Sequence, residues 1–88
     1  MHVTIRGKRY ELRFEKMNPE YLGLCDPPNV MNKKITVESN QGEREFLDTL
    51  IQELMHAAYW DIKEDAIDEG ATDVATVLWR LGYRRKVD

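Results

Sequence analysis

The chain has 88 residues, of which 42% are hydrophobic and 33% are charged, and its formal net charge is −3. This length supports one modest hydrophobic core, so we expect a single domain over residues 1–88. The acidic balance does not favour nucleic-acid binding, and no apolar run is long enough for a membrane span or a signal peptide.

The cysteine and histidine content limits the chemistry further. Cys25 is the only cysteine and cannot form an internal disulfide, and two histidines are too few for a structural Cys/His zinc cluster. We therefore expect a cytoplasmic protein. Cys25 has no cationic neighbour in the sequence, so it is not predicted to act as a nucleophile.

The N-terminal half predicts extended structure. Alternating apolar residues over 3–14 indicate a hairpin with a type II′ turn at Gly7 and Lys8. Residues 17–32 contain three prolines and a glycine and predict a loop. A further strand is predicted over Lys34 to Glu38.

The C-terminal half has the 3.6-residue period of helices. The first helix is expected from about Glu43 to about Tyr59. The second is expected from Asp61, capped by the Asp61 and Glu64 pair, to Gly82. Their apolar stripes are Leu47, Leu50, Ile51, Leu54 and Ala58 in the first helix and Ile67, Ala71, Val74, Leu78 and Leu81 in the second. The predicted fold is α+β, a small antiparallel sheet of about three strands packed against two C-terminal helices in two layers.

One segment of the first helix, QELMH at residues 52–56, differs by one letter from the H-E-x-x-H motif of zinc proteases. The spacing places Gln52 and His56 on one helix face, with Glu53 at its edge. In such enzymes the two histidines bind zinc, and the glutamate takes a proton from the attacking water. From periodicity alone, an ordinary solvated helix face is the alternative.

The segment REFLDTLIQELMHAAYWDIKEDAIDEGATDVATVLWRLGYR, residues 44–84, resembles the minimal zincin-like metallopeptidases encoded by bacteriophages, which are distantly similar to SprT-like proteins. The preceding GLCDPPNVMNKKITV also resembles the family, in which a strand lies beside the active-site cleft. The resemblance implies that His56 is a zinc ligand and Glu53 the general base, while Gln52 occupies the position of the missing first ligand. For a phage-encoded protein, the location would be the host cytoplasm.

The third ligand has to come from elsewhere in the chain. Glu64, at the start of the second helix, is our candidate because it is expected to face inward near His56, with Asp65 and Asp68 as alternatives; Glu64 could equally serve only as a helix cap. Glutamine is a poor zinc donor, so zinc occupancy is expected to be low.

Two functions follow from these residues. We expect a degenerate, catalytically impaired zincin-like protein that binds a protein partner, for example by strand addition. The alternative is an active zinc-dependent peptidase that uses Glu53 as its general base and an unusual metal site formed by His56, Glu64, Gln52 and solvent. Tyr59, Trp60 and Trp79 either line a substrate cleft or pack at the edge of the core or of a partner interface, and we expect packing.

Overall fold

The computed structural model describes residues 1–86, which form four strands and two helices. The elements are β1 (His2–Ile5), β2 (Lys8–Glu15), β3 (Gly23–Cys25), β4 (Lys34–Glu38), α1 (Glu43–Ala58) and α2 (Glu64–Arg80). The strand order is β1-β2-β4-β3, which leaves β1 and β3 at the two edges of the sheet. The predicted α+β class, a small sheet packed with two C-terminal helices, is confirmed. No helix within residues 1–86 has the length and apolar character that crossing a bilayer requires.

The β1–β2 hairpin turns one residue earlier than predicted. Ile5 pairs with Lys8, so the turn residues are Arg6 and Gly7. Both have positive φ values, 48° and 78°, and this is the pattern of a type I′ turn rather than type II′. The prediction was wrong because Lys8 belongs to β2, which moves the glycine to the second turn position.

The sheet is mixed and has one strand more than predicted. β4 pairs in parallel with β2, with Leu12 opposite Ile35, and β3 pairs antiparallel with the other side of β4. The expectation of a purely antiparallel sheet and of a loop throughout residues 17–32 was therefore wrong. Since β3 has three residues, it is too short to show a two-residue period and forms where β4 offers it a partner.

The two helices do not share one layer. α1 packs on the sheet, while among the described residues α2 contacts α1 and no strand. Phe46 of α1 lies against Phe14 of β2, with ring centroids 5.3 Å apart. The core combines residues of the sheet and of α1, namely Tyr10, Leu12, Ile35, Val37, Phe46 and Ala57. The arrangement is thus sheet, α1, α2, rather than the two layers predicted.

The position of α2 explains which of its residues are buried. Ile67, Ala71 and Ala75 are buried, whereas Val74 and Leu81 of the predicted stripe are exposed. A helix that covers a single neighbouring helix buries only a narrow stripe of its surface. The prediction failed at Val74 and Leu81 because it assumed contact with a whole sheet.

The ends of α1 agree with the prediction, but the start of α2 does not. Lys63 is the N-cap residue of α2 and no side chain caps the helix, so the predicted Asp61 and Glu64 capping box is absent from the described residues. Asp61 lies in the turn between the helices, in which the Ile62 N–H donates to the Tyr59 carbonyl.

The C-terminal end of α2 agrees with the prediction. Gly82 adopts a φ of 93°. The Tyr83 N–H donates to the Leu78 carbonyl, which completes a Schellman motif at the predicted stop.

Candidate active site in the cleft between β3 and α1

A cleft of about 420 Å³ opens between β3, the C-terminal half of α1 and the start of α2. Its lining residues are Gly23, Leu24, Cys25, Glu53, His56, Trp60, Ile62 and Glu64. Both Glu53 and His56 of the sequence motif therefore face the same cleft, together with the predicted third ligand.

Three possible metal-ligating side chains meet at this cleft. His56, Glu64 and Asp68 each offer one ligand atom, and these atoms all lie within 4.8 Å of one another. The His56 Nε2 atom is 2.9 Å from Asp68 Oδ1. His56 is mostly buried, while Glu64 is exposed. Residues four apart lie on one helix face, so Glu64 and Asp68 of α2 both reach His56 across the contact with α1. Asp65 is not in this group; its carboxylate accepts the Ala66 N–H.

Gln52 lies one turn before His56 but makes a different contact. Its side-chain Nε2 donates to Asp48 Oδ1 at 2.9 Å, and the Thr72 hydroxyl of α2 donates to the same oxygen at 2.9 Å. The group of His56, Glu64 and Asp68 thus comes together without Gln52. The hydrogen bonds that join Gln52, Asp48 and Thr72 were not predicted from the sequence. The spacing of Asp48, Gln52 and His56 at steps of four residues does indicate that the three side chains share one helix face.

The Glu53 carboxyl is held in an unusual electrostatic environment. Burial raises its pKa from the ordinary 4.5 to about 7. The charge of His56 lowers this pKa, and those of Asp68 and Glu64 raise it. A carboxyl with a pKa near neutrality can both accept and release a proton under physiological conditions, which suits a general base.

A glycine in β3 makes room for Glu53. A Cβ atom added to Gly23 would lie 2.8 Å from Cγ of Glu53 and 2.9 Å from Cγ2 of the buried Thr49. Only glycine therefore allows β3 to come this close to α1 without displacing a neighbour. The close approach of Gly23 to Glu53 was also not predicted from the sequence.

The adjacent thiol of Cys25 is kept in its protonated form. Burial, followed by the negative charges of Glu53 and Asp26, raises the pKa of Cys25 to about 12. The thiolate is consequently almost absent at neutral pH. This agrees with the expectation that Cys25 is not a nucleophile.

The outer edge of β3 carries backbone groups that have no hydrogen-bond partner within residues 1–86. The Leu22 carbonyl accepts from Glu38 and the Asp26 N–H donates to Lys34, so alternate residues of this segment face β4. In an antiparallel pair the intervening residues, Gly23 and Cys25, direct their N–H and C=O groups away from the partner strand. Among the described residues, β3 is therefore an edge strand with one unpaired side.

Of the aromatic residues Tyr59, Trp60 and Trp79, only Trp60 lines this cleft. Tyr59 lies under the Arg6 guanidinium, 5.4 Å from the ring centroid. Trp79 stacks with Arg84 at 3.3 Å near the end of α2. The packing interpretation thus fits Tyr59 and the cleft interpretation fits Trp60, while Trp79 lines a different cavity, together with Phe46 and Leu78.

No family model, curated protein or solved structure matches the chain. The resemblance to the zincin-like peptidases therefore stays a prediction from the sequence.

Proposed function

We propose that the protein is a small divalent-metal-dependent peptide hydrolase that works in the cleft between β3 and α1. One observation carries this proposal: the half-buried carboxyl of Glu53 lies in the same cleft as His56 and Glu64. These two residues form, with Asp68, a group of donor atoms within 4.8 Å of one another. This combination supports the enzyme over the impaired binding protein expected from the sequence.

The donor set fits a cation. One imidazole and two carboxylates are suitable ligands for zinc, and three protein ligands with an open position are typical of catalytic sites. A cation held by His56, Glu64 and Asp68 would polarise the carbonyl of a bound peptide. Because only one ligand is an imidazole and Glu64 is exposed, we expect weaker binding than at a site with two or three histidines.

Glu53 is the general base in this proposal. Its pKa of about 7 belongs to the metal-free protein, and the positive charge of a cation in the same cleft would lower this pKa and increase the ionised fraction at neutral pH. The ionised form accepts the proton of the attacking water, and the protonated form then donates it to the leaving amine. Burial against Gly23 holds the carboxyl at the cleft wall.

The open edge of β3 supports a peptide as the substrate. An extended chain laid along β3 would hydrogen-bond to the free backbone groups of Gly23 and Cys25. Leu24, Trp60 and Ile62 line the cleft and are each about half exposed, so they offer apolar contacts to side chains of the peptide. Backbone pairing would give affinity, and these apolar side chains would give preference among sequences.

A second candidate is a peptide-binding protein without catalysis. The observation that favours it is the amide of Gln52, which is hydrogen-bonded to Asp48 and leaves a single imidazole at the site. In this case the β3 edge still holds an extended peptide, but the cation is bound too weakly to support hydrolysis.

The deciding experiment combines zinc binding, peptide binding and hydrolysis of an unstructured peptide library. We expect less than one zinc per chain after purification without chelator. Addition of zinc should start peptide hydrolysis, and a chelator should abolish this hydrolysis. Glu53→Gln should keep zinc binding and lose hydrolysis, His56→Ala should lose both, and His2→Ala is the matched control that keeps both. Peptide binding without hydrolysis at saturating zinc would support the second candidate, and absence of both activities would overturn both proposals.

A further inference from the structure

α2 carries a second apolar stripe, separate from the face that packs on α1. Its members, Gly70, Val74, Val77 and Leu81, follow steps of four, three and four residues, the spacing of the core positions of a coiled coil. Val74, Val77 and Leu81 are 46%, 57% and 70% exposed. The buried residues that face α1 are Ile67, Ala71 and Ala75. The second stripe has no covering element in the part of the chain that the structure describes.

The two ends of this stripe have complementary shapes. Gly70 lies inside α2, where glycine is less favourable than alanine, and a Cβ added there would meet nothing within 4 Å. Leu81, at the other end, projects into solvent. If two copies of α2 pack antiparallel about a two-fold axis near residues 75 and 76, Leu81 of one copy lies over Gly70 of the other. In the same register Val74 faces Val77.

The charges beside the stripe match this arrangement. Asp73 and Arg80 are seven residues apart, so they occupy the same flanking position of the heptad, and both are exposed. Neither forms an ion pair within residues 1–86. In an antiparallel pair this flanking position faces its own counterpart, which brings Asp73 of each copy close to Arg80 of the other. In a parallel pair it would face Ala71 and Leu78, which carry no charge.

We propose that α2 is a self-association surface that forms an antiparallel, two-fold symmetric contact with α2 of a second copy of this chain. The heptad spacing, the open position at Gly70 and the opposite charges at equivalent positions each support a second copy as the occupant. The stripe from Gly70 to Leu81 is about 16 Å long, so we expect a dimer that dissociates on dilution. This inference does not depend on the proposed hydrolase activity.

Sedimentation velocity of the full chain over a wide concentration range tests the proposal. Asp73→Arg and Arg80→Asp should each weaken association by about tenfold or more, because each places like charges opposite one another. The double variant Asp73→Arg/Arg80→Asp should restore association, since it exchanges the two charges. Met31→Glu is the control, because it adds a charge at an exposed apolar residue outside the stripe.

Gly70→Ala separates association from folding. The added methyl group has free space in the monomer and improves helix propensity, so the melting temperature at low concentration should rise. In the dimer the methyl group would occupy the place of Leu81 of the second copy, so association should weaken. A chain that stays monomeric at all concentrations would overturn the proposal. So would a dimer that the charge reversals leave unchanged or that the double variant fails to restore.

Discussion

At the scale of single residues, the Glu53 carboxyl links the site to stability. Its folded-state pKa of about 7 lies above the ordinary 4.5, so between these values the folded protein binds more protons than the unfolded chain. The stability from Glu53 is therefore fully present below about pH 4.5 and is lost as the pH rises through 7. We expect Glu53→Gln, which imitates the protonated form, to be more stable than the natural chain at pH 8 by roughly 1–3 kcal/mol. Urea unfolding at pH 4 and pH 8 measures this difference.

The matched control for this experiment is Glu69→Gln. Glu69 lies on α2, is exposed, and is not among the groups that face the cleft. This variant should follow the pH dependence of the natural chain. If the free energy of unfolding of Glu53→Gln had the same pH dependence as that of the natural chain, the Glu53 carboxyl would not titrate between pH 4 and pH 8. Its assignment as a general base would then lose support.

Gln52 is the residue at which the chain departs from the H-E-x-x-H motif. The variant Gln52→His places an imidazole one turn from His56, where Asp48 can accept its ring N–H in place of the amide. We expect zinc affinity to rise by at least about tenfold, as measured by competition with a chromophoric chelator. Gln52→Ala, which removes the amide without adding a ligand, should not produce this gain. Equal affinity in the natural chain and in Gln52→His would mean that a side chain at position 52 does not reach a cation held at His56.

At the scale of secondary-structure elements, the close contact between β3 and α1 is set by Gly23. In Gly23→Ala the new Cβ would lie 2.9 Å from Thr49, which is buried and cannot move away freely, so we expect destabilisation of about 1–3 kcal/mol in urea unfolding. Gly42→Ala is a useful comparison, because its Cβ would meet only the carboxylate of the exposed Glu45, which can rotate. If the free energy of unfolding fell less in Gly23→Ala than in Gly42→Ala, β3 would not be tightly packed on α1.

The elements also show what the sequence could and could not predict. The bounds of α1 and β4 were predicted because each element carries its own period over its full length. β3 was missed because a three-residue strand has no period and depends on its partner β4. The start of α2 was misplaced because Asp61, a good capping residue in isolation, lies in the turn that the Ile62 hydrogen bond closes. Local signals were thus reliable only where no tertiary contact overrode them.

The same distinction applies to the candidate site. His56 and Glu53 were predicted from the motif, and Glu64 from its position at the start of the second helix, with Asp65 and Asp68 as the alternatives. The hydrogen bonds that join Gln52 to Asp48 and Asp48 to Thr72 depend on how α2 packs on α1, which no local pattern determines. The close approach of Gly23 to Glu53 likewise depends on β3, a strand that was not predicted.

At the scale of the whole molecule, α1 is the central element, since the sheet covers one side of it and α2 the other. Because α2 contacts only α1 among the described residues, we expect its amides to exchange with solvent faster than those of α1 in native-state hydrogen exchange. The candidate ligands come from both helices, His56 from α1 and Glu64 and Asp68 from α2, so a bound cation would tie the two together. Saturating zinc should therefore slow amide exchange in α2 of the natural chain. It should leave the exchange rates of α2 in His56→Ala unchanged. Equal slowing in both proteins would mean that zinc binds elsewhere, and the cation site between α1 and α2 would have to be abandoned.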